Sequence, residues 1–201
     1  MATRELGVGL SAEALARYEK DAVLRDGGFV HLRAIRPDDK GRLREGFRRL
    51  SEESVRSRFF ETKRDLSERE LRYLTEVDFD RHVALVATLW EEGEERIIGV
   101  GLYVLLDEED ARAEAAFTVA DEHQDRGIGT LLFDELAEIA RSRDVRRFEA
   151  EVLPYNRRML DIFRRRGFDV RERAGSGGVR VSMSLADPAP RTREPSARPR
   201  T

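Results

Sequence analysis

Between residues 117 and 140, a strand-like stretch runs directly into a glycine-containing turn, and an apolar helical repeat follows from Leu131. The first backbone amides of a helix have no partner within that helix, and the helix dipole adds positive charge there. Gly127 and Gly129 carry no Cβ atom that would keep an anion away from these amides. This strand–turn–helix unit therefore predicts a cradle for a diphosphate, and hence a nucleotide-like cofactor.

Two known nucleotide-binding motifs do not fit the turn. A P-loop places Lys after its last glycine, whereas Thr130 follows Gly129 here. A dinucleotide-binding fingerprint has a third glycine where this chain has Leu132. The alternative, a tight turn that serves only to pack a helix closely against a strand, is left open by these observations.

Composition narrows the classes of protein. The 201 residues fit one domain, and 40% hydrophobic residues can build a core. A formal net charge of −3 argues against nucleic acid as the main partner. The chain has no Cys, and His31, His82 and His123 are scattered, so no disulfide, thiolate nucleophile or metal site is predicted.

The ends of the chain differ from its middle. We expect a helical extension over residues 1–23, with a helix at 11–20, and a folded domain over 24–186. The tail at 187–201 contains four prolines and is predicted to be disordered. No apolar run is long enough for a membrane span or a signal peptide, which predicts a cytoplasmic protein with no membrane partner.

Strand and helix patterns alternate through the middle. Ser51 and Ser67 are predicted helix caps, the latter in capping-box spacing with Glu70. These patterns predict a mixed α/β (α+β) sheet with antiparallel hairpins and one crossover around the helix at 127–143. Strands are predicted at 29–36, 82–90, 96–106, 111–120, 145–153, 168–173 and 179–185, and helices at 37–50, 51–60, 67–77, 127–143 and 155–166.

The pattern Gln124-x-x-Gly127-x-Gly129 resembles the acetyl-CoA signature of the GNAT family of N-acetyltransferases. Residues 156–168, an Asn that opens a helix ending in Gly-Phe, are similar to the second cofactor-binding segment of the family. Residues 33–39 are similar to its first strand and helix cap. The resemblance covers 24–186. It implies a mostly antiparallel sheet that is splayed at the cofactor strand, with helices on both faces.

The resemblance also implies acetyl-CoA as co-substrate, with no metal. Phe117 and Val119 would pair their backbones with the pantetheine arm like an added strand. A backbone N–H there would donate to the thioester oxygen. The implied cofactor-binding residues are Phe117, Thr118, Val119, Gln124, Asp125, Arg126, Gly127, Ile128, Gly129, Thr130 and Asn156.

An acceptor lysine is mostly protonated near neutral pH, so a proton acceptor is needed. Glu114 shares a strand face with Ala116 and Thr118. Its Ala-flanked position predicts partial burial, which raises the pKa of a carboxyl group. An ordinary edge-strand or salt-bridged Glu is the alternative. Lysine acetyltransferases of the family carry a Glu in this position, and the resemblance therefore implies Glu114 as the general base.

Glu151 is the rival base, because N-terminal amine acetyltransferases of the family place one at that position. Many members carry a Tyr general acid where this chain has Phe163. The resemblance therefore implies that the CoA thiolate leaves as such or takes its proton from solvent.

Residues 50–60 and 77–86 resemble the acetyltransferase module of bacterial Pat-type protein lysine acetyltransferases. The module is often fused to a sensing domain, for which 24 leading residues are too few. The implied acceptor is a protein lysine, such as one on an acyl-CoA synthetase. The alternatives are a small amine (a polyamine, an amino acid or an aminoglycoside) and a CoA-binding regulatory module with little catalysis. A monomer or homodimer is expected.

Overall fold

A computed structural model describes residues 10–107, 109, 111–153, 155–165, 170–174 and 178–185. The strands are β1 (Glu19–Val23), β2 (Phe29–Ala34), β3 (His82–Glu91), β4 (Glu94–Asp107), β5 (Arg112–Val119), β6 (Arg147–Val152), β7 (Val170–Ala174) and β8 (Val179–Ser184). The α-helices are α1 (Ala12–Leu15), α2 (Lys40–Arg48), α3 (Glu52–Phe59), α4 (Glu68–Thr75), α5 (Ile128–Ser142) and α6 (Arg157–Arg165), and 3-10 turns lie at Pro37–Asp39 and Asp121–His123.

The strands form one sheet in the order β1-β2-β3-β4-β5-β6-β8-β7. Hydrogen-bonded neighbours run antiparallel except β5 and β6, which are parallel. A parallel pair needs a crossover connection, and α5 lies in the one between β5 and β6. The mixed, mostly antiparallel sheet predicted from the sequence is confirmed.

Each face of the sheet carries its own apolar core, because successive strand residues point to opposite faces. α5 covers one face with fully buried side chains that include Leu132, Phe133 and Leu136. α2, α3 and α4 cover the other face with Leu43, Phe47, Val55, Leu71 and Leu74. Helices therefore lie on both faces, as the resemblance implies.

Serine caps fix the starts of three helices. Ser11, Ser51 and Ser67 accept backbone hydrogen bonds at the starts of α1, α3 and α4. Glu70 completes the capping box that its spacing from Ser67 predicts. These local contacts explain why the predicted helix starts agree closely with the observed ones.

A buried ion cluster joins β2, β4 and the start of α2. Arg33 donates two hydrogen bonds of 2.7 Å to the two carboxylate oxygens of Asp39, and two of 2.8 and 3.1 Å to those of Glu95. Burial opposes the charge of Arg33, but these carboxylates outweigh that effect and raise its pKa. Arg33 and Asp39, which both lie in the segment predicted as the first strand and helix cap, therefore form a buried ion pair in the core.

The N-terminal region differs from the prediction. The helix expected over 11–20 is a single turn, α1, and β1 then pairs along its length with β2. The proposed domain boundary at residue 24 thus falls just after a strand of the sheet. The predicted tail at 187–201 and the Gly167 and Phe168 that would end the helix at 155–166 lie outside the described residues.

Candidate active site

The cofactor turn, residues 121–127, opens α5 with a glycine that no other residue type replaces without strain. Gly127 is the N-cap of α5 and has a φ of 97°. Within the described chain no side chain caps α5, in contrast to the serine-capped α1, α3 and α4. The amides of its first turn, which include those of Ile128, Gly129 and Thr130, therefore have no capping side chain in front of them. This arrangement fits an anionic ligand.

Two polar side chains tie the cofactor turn to α3. Asp121 accepts hydrogen bonds from the backbone N–H of Ser51 at 2.9 Å, from its hydroxyl at 2.7 Å and from the Ser54 hydroxyl at 2.8 Å. Gln124 donates to the Val119 carbonyl at 3.2 Å and to the Ser54 hydroxyl at 3.3 Å. Gln124, the Gln of the predicted signature, thus stabilises the turn through hydrogen bonds. Burial raises the pKa of Asp121, but the hydrogen bonds from Ser51 and Ser54 outweigh it and hold the pKa below its usual range.

The β1–β2 turn, residues 24–28, contacts the cofactor turn from the other side. Asp26 accepts a 2.6 Å hydrogen bond from Nε of Arg126, which pairs these charges across the two turns. A Cβ atom at Gly28 would lie 2.7 Å from Nη2 of Arg126, so a larger residue there would displace this guanidinium. Arg126, predicted to contact the cofactor, is therefore held by a carboxylate that the sequence reasoning missed.

β5 and β6 separate beside the cofactor turn. Their pairing covers three residue pairs and ends at Glu114 opposite Glu149. β5 continues to pair with β4 as far as Val119, and β6 continues to pair with β8 as far as Val152. The strands on either side of the cofactor helix thus diverge along residues 115–119, which is the splay that the family resemblance implies.

Glu114 lies at the point where the strands separate. Its side chain is exposed, so the predicted partial burial is wrong. The flanking alanines do not cover it, because Ala113 and Ala115 point into the core on the α5 side of the sheet. Any desolvation of this carboxylate would come from bound ligands.

Two further carboxylates share this face of the sheet. Glu149 lies next to Glu114 on β6, and it forms a 3.3 Å ion pair with Arg112. Glu151 lies two residues further along β6, opposite Arg180 of β8. Glu114 and its rival Glu151 therefore stand on opposite sides of the cleft but on the same face.

An apolar cavity of about 60 Å³ lies beneath α2 and α3 on this face. Ala116 and Thr118, which follow Glu114 at alternate positions of β5, form part of its wall. Arg58 also lines it and stacks over the Phe59 ring at 5.1 Å. Burial lowers the pKa of Arg58, and the negative charge of Glu114 opposes that effect. The cavity wall thus contains a cation that interacts electrostatically with Glu114.

The second predicted cofactor segment supplies a helix cap. Asn156 Oδ1 accepts a 3.2 Å hydrogen bond from the backbone N–H of Met159 in the first turn of α6. Phe163 lies within α6, and its side chain is outside the described part of the chain. Asn156 thus begins α6, and its contact with the cofactor stays a prediction.

Sequence reasoning missed Asp121, Asp26 and Arg58. Asp26 begins the run Asp26-Gly27-Gly28 directly before the predicted strand at 29–36, and that run is a hairpin signal that could have located the β1–β2 turn. Asp121 and Arg58 act through partners distant in the chain, and no local pattern marks them.

Within the described ranges, no helix is long and apolar enough to cross a membrane. In the same ranges, no three His, Cys, Asp or Glu side chains form a group that could hold a metal ion.

The chain is similar to known acetyltransferases. A family model described as the acetyltransferase (GNAT) family matches residues 47–168. "Acetyltransferase PA5475" of Pseudomonas aeruginosa is 32% identical over 163 residues, which are 81% of this chain and 87% of the relative. "Acetyltransferase Pat" of Mycolicibacterium smegmatis is 34% identical over 168 residues, 83% of this chain and 50% of the relative. The chain thus spans about half the length of Pat.

A solved structure agrees with these sequence matches. The crystal structure of the GNAT domain of S. lividans PAT superposes with a TM-score of 0.76 at 36% identity. The match covers 83% of this chain and 96% of that domain.

Proposed function

Because this chain belongs to the GNAT family of acetyl-CoA-dependent N-acetyltransferases, we propose that it acetylates the ε-amine of a protein lysine with Glu114 as the general base. The observation that carries the proposal is the separation of β5 from β6 directly after Glu114, beside a helix start with no side-chain cap. An extended thioester arm would lie between the separated strands, with the Glu114 carboxylate at the end of the cleft.

The residues around the cleft fit acetyl-CoA. The diphosphate would lie against the amides from Asp125 to Thr130, where the α5 dipole favours negative charge. The pantetheine arm would run along β5 at Phe117, Thr118 and Val119, and Asn156 would contact the cofactor from the α6 side. A backbone N–H of β5 would donate to the thioester oxygen as charge develops on it.

Glu114 would take the proton that the lysine ammonium must lose before it can attack. The neutral amine then forms a bond to the thioester carbonyl carbon, and the carbon–sulfur bond breaks. The amide nitrogen releases its second proton to solvent, and CoA leaves as a thiolate that either stays ionised or takes a proton from solvent. The exposed carboxylate of Glu114 would become desolvated when cofactor and acceptor cover it.

The charge of the neighbouring cavity supports a lysine acceptor over a small polycation. A polyamine or aminoglycoside needs a pocket lined by acidic groups to hold its remaining charges. The cavity next to Glu114 is lined by apolar side chains, and its charged lining residue is the cationic Arg58. A single lysine with its four-carbon stem suits such a surface better.

A comparison of acceptors tests the proposal. Radiolabelled acetyl-CoA would be incubated with a protein panel that includes acyl-CoA synthetases, and in parallel with polyamines, amino acids and aminoglycosides. We expect label on protein lysines and at most slow transfer to the small amines. Faster transfer to a small amine would contradict the lysine assignment, and CoA binding without transfer would indicate a regulatory module. The cytoplasmic location and the monomeric or homodimeric state stay predictions.

A further inference from the structure

The β1–β2 turn brings an arginine to the cofactor helix. A Cβ atom built on Gly127 would lie 3.6 Å from Cγ and Nε of Arg25 and 3.7 Å from its Cδ. Because Gly127 is the N-cap of α5, this places the Arg25 side chain beside the first turn of that helix. Arg25 belongs neither to the glycine-containing turn nor to the residues predicted to bind the cofactor.

The turn that carries Arg25 is held by its own hydrogen bonds. Leu24 donates to the Gly28 carbonyl at 2.7 Å, and Gly28 donates to Oδ1 of Asp26 at 3.0 Å. The other carboxylate oxygen of Asp26 binds Arg126 in the cofactor turn. Arg25 is therefore positioned by a short, internally bonded loop that is also tied to the cofactor turn.

The position of Arg25 is electrostatically unfavourable without an anion. A helix start carries partial positive charge, so cations are stabilised at the opposite end. Arg25 is exposed, and within the described chain its guanidinium makes no hydrogen bond or ion pair. The nearest carboxylate in sequence, Asp26, is engaged by Arg126, and Asp125 in the cofactor turn has contacts of its own. An anion between Arg25 and the α5 amides would pair with the guanidinium and accept hydrogen bonds from the amides.

We propose that Arg25 binds the diphosphate of CoA together with the first-turn amides of α5. This inference rests on the proposed cofactor site at that helix. A guanidinium can donate two parallel hydrogen bonds to one phosphate, and such charge-assisted bonds are among the strong ones. The N-terminal hairpin is thereby part of the cofactor site, and Asp26 is a positioning residue for it.

Calorimetry with CoA would compare the native protein with Arg25→Ala. We expect binding to weaken by about 10- to 100-fold, the range for a lost hydrogen bond to a charged group. Arg25→Lys should recover part of the loss, because it keeps the charge without the two-pronged geometry. Arg17→Ala is the matched control, since Arg17 is an exposed arginine of the same region that pairs with Glu13. It should bind CoA as the native protein does.

Shortened ligands identify the contacted group. 3′-Dephospho-CoA keeps the diphosphate, so Arg25→Ala should weaken its binding by the same factor. S-acetylpantetheine has no phosphate, and its kcat/KM should be equal for the native protein and Arg25→Ala. With acetyl-CoA, the variant should show a raised KM at an unchanged kcat.

Three results would overturn the inference: unchanged CoA affinity in Arg25→Ala, a loss that disappears with 3′-dephospho-CoA, and an equal loss with S-acetylpantetheine. Gly129→Glu separates this inference from the proposed site, because its side chain would occupy the diphosphate position. CoA binding that survives Gly129→Glu would remove the cofactor site itself, whereas binding lost there and kept in Arg25→Ala would remove only the role of Arg25.

Discussion

At the scale of single residues, Glu114 is the proposed general base, which would convert the acceptor ammonium to the amine that attacks. We expect Glu114→Gln to lower turnover by about 10²–10⁴-fold, the usual contribution of a general base. The affinity for CoA should hold, because Glu114 lies apart from the cofactor turn. Activity of the variant should rise between about pH 7 and 10, since a growing fraction of lysine is then neutral without help. Steady-state kinetics across pH, beside calorimetry with CoA, provide the measurement.

Glu151→Gln is the control for this experiment, because both carboxylates stand on the same face of the sheet. It should lose much less activity than Glu114→Gln. Equal losses would point to a water relay between the two carboxylates. A loss confined to Glu151→Gln would transfer the role of base to that residue and contradict the assignment of Glu114.

At the scale of elements, α3 and the cofactor turn behave as one unit because Asp121 joins them. Asp121→Asn removes a charge that accepts three hydrogen bonds from Ser51 and Ser54, and it should lower the free energy of unfolding by about 1 kcal/mol. The pKa of Asp121 is lower in the folded protein than in the unfolded chain. Its contribution is therefore complete above the unfolded pKa and is lost as pH falls through the lower, folded value.

Denaturant unfolding at neutral pH and near pH 3 would measure this contribution. The difference between the native protein and Asp121→Asn should shrink at the lower pH. Asp38→Asn, an exposed aspartate beside α2, should show no such change. A difference that stays constant with pH would contradict the role of the Asp121 charge.

At the scale of the whole molecule, the N-terminal residues belong to the folded unit. β1 pairs with β2 over five residue pairs, and Leu15 is only 1% exposed. We expect removal of residues 1–23 to lower the free energy of unfolding by more than about 3 kcal/mol, the scale of one deleted buried leucine side chain. Thermal unfolding followed by circular dichroism would measure it. A chain without residues 187–201 is the comparison, and equal stability of both shortened chains would refute the expectation.

Much of this architecture could be predicted because local signals carry it. The β3–β4 hairpin follows two apolar runs joined by a glycine-containing turn, the β7–β8 hairpin surrounds the glycines at 175–178, and α4 follows its capping box. β1 escaped prediction because Glu19, Lys20 and Asp21 give it no apolar alternation. Its place in the sheet is set by pairing with β2, for which the Asp26-Gly27-Gly28 turn is a local signal.

The candidate site was predictable only in its backbone. The spacing of the signature identifies Gly127 in the sequence. The positive φ observed there is the backbone conformation for which the signature needs a glycine. The exposure of Glu114 depends on where two distant strands separate, and the roles of Asp26 and Asp121 depend on partners 100 and 70 residues away in the chain. Long-range contacts of this kind leave no trace in a single sequence window.

The supports of the cofactor turn share one property with consequences for biosynthesis. Asp26, Ser51 and Ser54 all precede it in the chain, and β1 to β5 pair in sequential order. Since the N-terminus of a chain leaves the ribosome first, the cofactor turn has its partners already synthesised when α5 emerges. β6 and β8, which form the opposite wall, emerge later. A nascent chain would thus assemble the cofactor turn and its supports before β6 completes the cleft.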